Sequence, residues 1–320
     1  MVHRLGFALA LPAALTAGAP EGRPADQLWR KLEAAVAREA AQLDGVLGVA
    51  ILDLTDGREL LVNADTTFPT ASTIKVAVLA ELYRQSQAAG AALPVGAGTE
   101  PQGPGQARLS DLYTLRSQDL VADSYVLGGL TPGVSRLTNR DLATCMVAVS
   151  DNAATNLLID RVGLPQVNAF LERQGLKETR LRRRMMDLSA AQAGRENVAT
   201  PRELAQLLAT LHRGQVLDAA HTADFFKVLA TPKDGYLPRL LPEELRVAGK
   251  PGSLDGVRCD AGLVFLKDRP FIVVAMTSFL REEREGEQAI SRVGLAAFRT
   301  FEALAVSSVH GRAWSARSFK

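Results

Sequence analysis

The sequence contains few of the residues that build metal centres, disulfide frameworks or histidine-based catalysis. It has two cysteines and four histidines in 320 residues. The histidines lie far apart and show no ligand spacing: His3, His212, His221 and His310. This pattern supports neither a metal site nor a Ser-His-Asp triad, and we expect no metal and no cofactor. We expect Cys145 and Cys259 to be separate buried thiols, although the sequence leaves a single disulfide open.

The sequence also lacks a charge imbalance and a long apolar run. Its 37 basic and 35 acidic residues give a formal net charge of +2, which offers no electrostatic argument for nucleic acid or an anionic membrane as a partner. No run reaches the roughly 20 apolar residues that span a bilayer. A composition of 47% apolar and 22% charged residues is ordinary for a soluble globular protein. The composition therefore indicates small molecules or other proteins as partners. Our prediction is a monomer with a small-molecule substrate.

The N-terminus has the pattern of a secretory signal peptide. A short basic lead over residues 1–4 precedes an apolar run over residues 5–16, and the small residues Ala17, Gly18 and Ala19 follow. We interpret residues 1–19 as a leader that is removed on export, which predicts a secreted or periplasmic protein. The alternative is an ordinary N-terminal segment with no targeting role.

Strand patterns occur at both ends of the chain, each next to an amphipathic helix. Residues 23–43 have helical spacing, and a hairpin follows around an Asp56-Gly57 turn. Near the C-terminus, three β-type runs precede a second helix that carries Ile290, Val293 and Ala297 on one face. The predicted strands are 46–54, 59–62, 245–248, 257–265 and 271–277.

The middle of the chain is predicted to be helical. Thr138 opens a capping box with Asp141, and Thr200 opens another helix with Pro201 at its first position. Further helices are expected over 153–162 and 165–174, whereas the Gly-, Ala- and Pro-rich residues 88–106 indicate a surface insertion. These elements predict an α+β fold in which an antiparallel sheet is flanked by the N- and C-terminal helices and an all-helical domain is inserted. The predicted segments are 20–75 and 215–307 for the sheet domain, 76–214 for the helical domain with a loop over 176–200, and 308–320 for a flexible tail.

Ser72 and Lys75 form the first candidate catalytic pair. A serine three residues before a lysine on a helix places hydroxyl and amine on one face. The following residues are apolar all round, which predicts a buried helix. A buried lysine without a partner escapes the cost of desolvation by a depressed pKa, and a neutral Lys75 could take a proton from Ser72.

Two further short motifs complete an ordered set. Ser150-Asp151-Asn152 lies in a helix-helix connection, and Lys250-Pro251-Gly252 leads from a strand. Together with Ser72-Thr73-Ile74-Lys75 they resemble the S-x-x-K, S-D-N and K-T-G elements of class A β-lactamases and penicillin-binding proteins. The resemblance extends from Pro24 to about Ser307, because the order of predicted elements is also similar. It implies the β-lactamase and DD-peptidase fold, with the loop over 176–200 of ω type.

The resemblance also implies roles for the motif residues. Ser72 would attack a carbonyl carbon after Lys75 removes its proton, and Ser150 would pass a proton to the leaving nitrogen. Asn152 would hold the substrate amide. Asp151 is expected to hold its own loop.

The third motif is expected to bind the substrate's carboxylate and to contribute to the oxyanion hole. Lys250 would supply positive charge for a substrate carboxylate. The backbone N–H groups of Ser72 and Ser253 would face the developing oxyanion.

The candidate deacylation machinery departs from the family pattern. Met185 falls where the class A enzymes carry the glutamate that activates water, and a thioether accepts no proton. Asp187 is our candidate for the missing base, with Glu196 the other nearby carboxylate. Asn197 replaces an aspartate that would pair with an arginine, so we expect the loop to lack its ion pair.

Pro251 is the second departure, because the family has a Thr or Ser there. The hydroxyl that helps to bind the substrate carboxylate is missing, and a proline in a strand predicts a sheet edge. Arg258 on the next strand, or the basic cluster 180–184, could compensate, although a solvated loop is the simpler interpretation of that cluster.

These observations favour a class A β-lactamase-like serine hydrolase that forms an acyl-enzyme at Ser72 with a β-lactam or a related amide or ester. A weak or non-lactamase esterase or peptidase with slow deacylation is one alternative. A non-catalytic protein that binds β-lactams or peptidoglycan fragments is another.

Overall fold

The computed structural model describes residues 22–91, 103 and 105–313, and its main feature is a five-stranded antiparallel sheet. The strand order is β2-β1-β9-β8-β7, so the two ends of the chain are joined in one sheet. The strands are β1 (Val46–Asp53), β2 (Glu59–Val62), β3 (Phe68–Pro69), β4 (Leu112–Thr114), β5 (Arg136–Thr138), β6 (Val198–Ala199), β7 (Val247–Leu254), β8 (Val257–Val264) and β9 (Phe271–Ser278). The predicted leader, most of the 88–106 insertion and residues 314–320 of the predicted tail lie outside the described residues.

Helices cover both faces of this sheet. They are α1 (Pro24–Gln42), α2 (Lys75–Ala88), α3 (Asn139–Ala148), α4 (Asn152–Val162), α5 (Leu164–Arg173), α6 (Leu188–Gln192), α7 (Pro201–His212), α8 (Ala219–Leu229) and α9 (Glu283–Ala305). The α+β architecture and the antiparallel sheet built from both chain ends are confirmed.

The alternation of strand β1 explains why the sheet is buried on both sides. Val49 and Ile51 point to the core formed with α1 and α9, whereas Ala50 and Leu52 point to the core on the helical side. Successive strand residues face opposite sides, so burial of both faces produces a nearly continuous apolar run. The α1–α9 core is closed by the ring of Phe301, which packs edge-on against Trp29 at 5.4 Å.

The helical part of the chain surrounds α2. This helix is buried nearly all round, including Lys75 at its first position, as its apolar sequence predicted. The Thr138 side chain accepts a hydrogen bond from the Asp141 N–H at the start of α3, and the Thr200 side chain accepts one from the Glu203 N–H at the start of α7. Both capping predictions are confirmed.

The domain division by residue number stays a prediction, and helix α7 qualifies it. This helix falls in the predicted helical segment, yet it packs against the sheet at β1 and β9. An added Cβ on Gly48 of β1 would lie 2.9 Å from the Pro201 ring. The start of α7 therefore depends on a strand residue without a side chain.

Strand β7 is longer than the sequence predicted. We expected a strand to end at Ala248, but β7 continues through the third motif to Leu254. Pro251 pairs with Asp260 of β8, and β7 is the last strand of the sheet. An edge strand tolerates a residue without an N–H, because one side of the strand has no ladder to complete. The prediction of an edge strand is confirmed. Cys145 and Cys259 are separate thiols, as expected, but only Cys259 is buried and Cys145 is half-buried.

Candidate active site

Ser72 lies in a single 3-10 turn, Ala71–Ile74, that leads directly into α2. Ala71 has a φ of +47°, a left-handed conformation that is uncommon for a residue with a side chain. The turn is tied by the Thr73 hydroxyl, which donates to the Thr70 carbonyl at 2.7 Å. Thr70 itself donates to the Asn197 carbonyl from its N–H at 2.9 Å. The strained backbone beside Ser72 is thus held from two directions.

Lys75 is fully buried and makes three hydrogen bonds to the second motif. Its Nζ donates to the Ser150 carbonyl at 2.7 Å, to the Ser150 Oγ at 2.9 Å and to the Asn152 Oδ1 at 3.0 Å. Burial and the nearby charge of Lys250 lower the pKa of Lys75 well below its ordinary value, and Asp151 and Asp123 partly oppose this. The expected depressed pKa follows from geometry, because the amine is removed from water and lies near another cation.

The Ser150 hydroxyl joins the three motifs. Its Oγ donates to the Ser72 Oγ at 2.9 Å, and it accepts from the Nζ of Lys75 and from the Nζ of Lys250 at 3.2 Å. A hydroxyl has one proton to donate, and here that proton is directed at the Ser72 Oγ. Ser150 adopts a φ of +58°, so the connection between α3 and α4 is held in a left-handed turn that points this hydroxyl into the cluster.

Asp151 fixes that connection and does not face the cluster. It is fully buried, caps α4 through the Ala154 N–H at 2.9 Å, and accepts the N–H groups of Val126 and Leu127 at 2.9 and 3.0 Å. A buried carboxylate with three N–H donors is well satisfied. The expectation that Asp151 holds its own loop agrees with these contacts.

Lys250 lies on the opposite side of Ser150 from Lys75. It is 1% exposed and donates to the Pro251 carbonyl at 2.9 Å. Burial lowers the pKa of Lys250 to about 7; the charge of Asp260 opposes the shift and that of Lys233 adds to it. Two buried lysines therefore meet at one serine hydroxyl, and each has a lowered pKa.

Gly252 allows β7 to lie directly against the Ser72 turn. A Cβ added there would be 2.7 Å from the Ser72 nitrogen and 2.9 Å from the Thr70 oxygen. These are backbone atoms that cannot rotate away, so only glycine fits. The close approach brings the β7 backbone, with Ser253 as its next residue, alongside the Ser72 turn, which suits two N–H groups that share one oxyanion.

Met185 is held in place by a reciprocal pair of hydrogen bonds. Its N–H donates to the Asn156 Oδ1 at 2.8 Å, and its carbonyl accepts from the Asn156 Nδ2 at 3.1 Å. Asn156 lies on α4, the helix that begins at Asn152, and Met185 itself is 8% exposed. The position that the family resemblance assigned to a water-activating glutamate is occupied by a fixed, buried thioether.

The two candidate replacement bases are engaged elsewhere. The exposed Asp187 caps α6, accepting the Ala190 N–H at 2.9 Å. The Glu196 carboxylate accepts from the Arg183 guanidinium at 2.8 Å. Neither carboxylate is hydrogen bonded to Ser72, Lys75 or Ser150 within the described part of the chain.

The usual ion pair between Arg183 and position 197 is missing, as expected, but the loop contains a different one. Arg183 pairs with Glu196, one residue before the position considered. Asn197 binds backbone instead, and its Oδ1 accepts the Arg182 and Arg183 N–H groups at 2.7 and 3.0 Å. The loop is therefore held by two adjacent residues: Glu196 through its ion pair with Arg183, and Asn197 through hydrogen bonds to the backbone.

The structure does not bring Arg258 to the cluster. Arg258 pairs with Ser253 across the β7–β8 ladder, and strand alternation directs both side chains to the face opposite Lys250. The guanidinium contacts Glu283 and Glu287 of α9. The role expected of Ser253 rests on its backbone and does not depend on that face. In the basic loop cluster, three arginines form ion pairs: Arg180 with Glu172, Arg183 with Glu196 and Arg184 with Asp160.

Sequence reasoning missed the segment 122–127, which lines the Asn152 side of the cluster. The Asn152 N–H donates to the Asp123 carbonyl at 3.2 Å, and its Nδ2 donates to the Ala122 carbonyl at 3.3 Å. The segment has neither helical nor strand periodicity, and no sequence signal marks it. It also missed Asn156, whose position four residues after Asn152 on one helix face was the available clue.

Among the described residues, no group of three or more His, Cys, Asp or Glu side chains is placed to hold a metal ion. In the same ranges, every helix is too short or too polar to cross a bilayer.

Comparisons with known proteins agree with this geometry. The β-lactamase enzyme family matches residues 27–94 and 100–301. A β-lactamase from Sphaerobacter thermophilus is 29% identical, with 86% of this chain and 97% of that chain covered and a TM-score of 0.72. An ancestral class A β-lactamase is 28% identical, with 84% of this chain and 100% of that chain covered and a TM-score of 0.73. PBP-A, at 23% identity, covers 85% of this chain and 96% of its own with a TM-score of 0.73, which shows a shared fold. The chain belongs to the β-lactamase enzyme family and is a class A β-lactamase-like serine hydrolase.

Proposed function

We propose that Ser72 is acylated by β-lactams, or by a related amide or ester, and that water then releases the product slowly. The observation that carries this proposal is the Ser150 hydroxyl, which donates to the Ser72 Oγ at 2.9 Å and accepts from two buried lysines. Such an arrangement has little use in a structural role, because burying two cations together costs stability.

Acylation requires a base, an oxyanion site and a proton donor. Neutral Lys75 takes the Ser72 proton as the Oγ attacks the carbonyl carbon, and the Ser72 and Ser253 N–H groups stabilise the oxyanion. As the C–N bond breaks, the proton passes from Lys75 through Ser150 to the leaving nitrogen. The 2.9 Å separation between Lys75 Nζ and Ser150 Oγ supports this direct transfer.

Carboxylate recognition in this proposal depends on Lys250. Pro251 offers no hydroxyl, and Arg258 is already paired with two glutamates. The charge of Lys250 is therefore the main attraction for a substrate carboxylate.

Slow deacylation follows from what surrounds Met185. General base catalysis contributes about 10²–10⁴-fold to a rate, and the thioether provides none. Asp187 caps a helix and Glu196 is an ion-pair partner. We therefore expect the missing general base to slow deacylation much more than acylation. This favours an acyl-enzyme that accumulates, as in the esterase or peptidase alternative, over a fast resistance enzyme. A purely non-covalent binder is disfavoured by the intact acylation cluster.

The proposed function is tested by mass measured in parallel with turnover. Incubation with penicillin G should add the intact penicillin mass to the protein within minutes, and nitrocefin should show a burst followed by a slow steady state. The adduct should be absent in Ser72→Ala and present in the control Ser189→Ala, which changes an exposed serine of α6. No adduct with any β-lactam or activated ester would rule the proposal out.

We further propose that the protein is exported and works as a monomer. The pattern of residues 1–19 supports export. N-terminal sequencing of protein recovered from the periplasm or medium should begin near residue 20, and light scattering should give the mass of one chain. A full-length N-terminus in the cytosolic fraction would contradict export.

A further inference from the structure

The cluster has a definite order of charges along its length. The Ser150 Oγ is hydrogen bonded to Lys250 on the β7 side and to Lys75 on the other side. Lys75 in turn donates to Asn152, and the Asn152 N–H donates to the Asp123 carbonyl at 3.2 Å. A chain of four hydrogen bonds thus leads from Lys250, past the nucleophile, to the segment 122–127. One end is cationic, and the other end carries the carboxylate of Asp123.

Asp123 is presented to solvent at this end by an unusual backbone. Its φ is +57°, and the residue is exposed. The carbonyl groups of Ala122 and Asp123 are both bound by Asn152, so the residue cannot move away without breaking contacts to the motif. Its charge is felt at the Lys75 amine, where it opposes the fall in pKa. Asp123 is therefore fixed near the reaction centre although it takes no part in the catalytic cluster.

Tyr125 adds an aromatic face beside this carboxylate. Its hydroxyl donates to the Asp123 Oδ1 at 3.3 Å, and the residue is 69% exposed. An exposed tyrosine has no packing reason for its position here. The segment that carries it is anchored on its other side by the Val126 and Leu127 N–H groups, which donate to the buried Asp151. A carboxylate next to an accessible aromatic ring is an arrangement that attracts an ammonium group through charge and cation–π interaction.

We propose that Asp123 and Tyr125 form a subsite for an ammonium group on the acyl side of the substrate. The enzyme then prefers zwitterionic amides, with a carboxylate at the Lys250 end and an ammonium at the Asp123 end. Since Asn152 is expected to hold the substrate amide, the group attached beyond that amide extends toward the residues that hold Asn152. This inference rests on the proposed acylation of Ser72 and specifies its substrate class.

Penicillin G and ampicillin test the subsite because they differ by one α-amino group. The second-order rate constant of Ser72 acylation is measured for each by mass spectrometry, at low salt and at about pH 6.5, where that amine is protonated. We expect Asp123→Asn to reduce the ampicillin to penicillin G ratio about three- to fivefold, the range of a partly exposed charge pair. Asparagine retains the left-handed backbone, so folding is preserved. High salt should lower the wild-type ratio toward that of the variant, because the attraction is screened.

Asp268→Asn is the matched control. Asp268 is also exposed and has a φ of +64°, but it lies in the turn between β8 and β9. It should leave the ratio unchanged, whereas Tyr125→Ala should lower it. An equal ratio in wild type and Asp123→Asn at low salt, with both adducts forming, would overturn the subsite alone. If ampicillin alone failed to acylate the wild-type protein, the subsite would likewise be overturned. If neither these drugs nor any other β-lactam or activated ester formed an adduct, the proposed function would be overturned, and the subsite with it.

Discussion

At the scale of single residues, the proposed function depends on two lysines that are buried where a charged amine is costly. Lys75 and Lys250 are 0% and 1% exposed, and both have lowered pKa values. In the proposed function their tasks differ, since Lys75 must be neutral to accept a proton and Lys250 must be charged to attract a carboxylate. The order of the two pKa values therefore determines the pH range in which both conditions hold.

The pH profile of acylation should be bell-shaped for a penicillin. The value of kcat/KM rises with pH as Lys75 loses its proton, and falls again as Lys250 loses its own near its pKa of about 7. A carboxylate-free activated ester should lack the basic limb, because it does not need the Lys250 charge. Acylation rates of both substrates from about pH 5 to about pH 9 provide the measurement. An identical basic limb for both substrates would contradict this role of Lys250.

Replacement of Met185 by glutamate should restore turnover. Asn156 fixes the Met185 backbone from both sides, so Met185→Glu places a carboxylate at a defined position. We expect the acyl-enzyme to decay about ten- to a hundredfold faster, since a base recovers part of the usual general-base factor. The decay of the penicillin adduct by mass is the measurement, and Met186→Glu is the neighbouring control. Equal acceleration by both variants would show that the loop was merely loosened.

At the scale of elements, two contacts determine whether the motifs meet. The Ser72 turn is fixed by the Asn197 carbonyl from the loop before α7, and β7 lies against it at Gly252. The contact between β7 and the Ser72 turn requires that β7 is an edge strand and that position 252 carries no side chain. Pro251 supports the edge position, because it has no N–H to pair with a further strand.

Gly252→Ala should impair acylation more than it impairs folding. The added Cβ would meet the Ser72 nitrogen at 2.7 Å, so the strand or the nucleophile turn must shift by several tenths of an ångström. We expect a loss of about 1–3 kcal/mol in the free energy of unfolding and a fall of at least about tenfold in the acylation rate, as the oxyanion donors separate. Urea unfolding and adduct formation measure the two effects.

The control for this variant is Gly103→Ala, where an added Cβ meets no atom within 4 Å. It should change neither quantity. Acylation at the wild-type rate in Gly252→Ala would show that the approach of β7 is irrelevant to the oxyanion site.

At the scale of the whole molecule, the candidate active site lowers the stability of the fold, and the rest of the structure compensates for it. Both lysines are buried beside the apolar core on the helical side of the sheet, which contains Ile74, Val76 and Ala248. Burying a charge in such a region opposes folding, and removing it often stabilises a protein. Activity and stability should therefore be opposed at this site.

Lys250→Met should abolish β-lactam acylation and raise stability by about 1–3 kcal/mol near neutral pH. The pKa of Lys250 is about 7 when folded and 10.5 when unfolded. Between these values the unfolded chain binds more protons, so the wild type gains stability as pH rises through that window and loses it as pH falls. The advantage of the variant should be largest at or below about pH 7 and shrink toward about pH 10. Thermal unfolding across this range tests the sign, and an advantage that grows with pH would refute it.

Local chemistry in the sequence predicted the elements, because caps, turns and periodicity act over a few residues. Thr138, Thr200 and the Asp56-Gly57 turn each mark a boundary that the structure contains, and the spacing from Ser72 to Lys75 marks a candidate catalytic pair. The sequence also located Met185 and Pro251 as departures from the family pattern. Tertiary structure alone decided which groups meet: that Arg258 faces α9, that Glu196 pairs with Arg183, and that Asp123 lies beside Asn152. These contacts join residues that are distant in sequence or lack periodicity, and they depend on how strands alternate and how loops are anchored, which no short window of sequence contains.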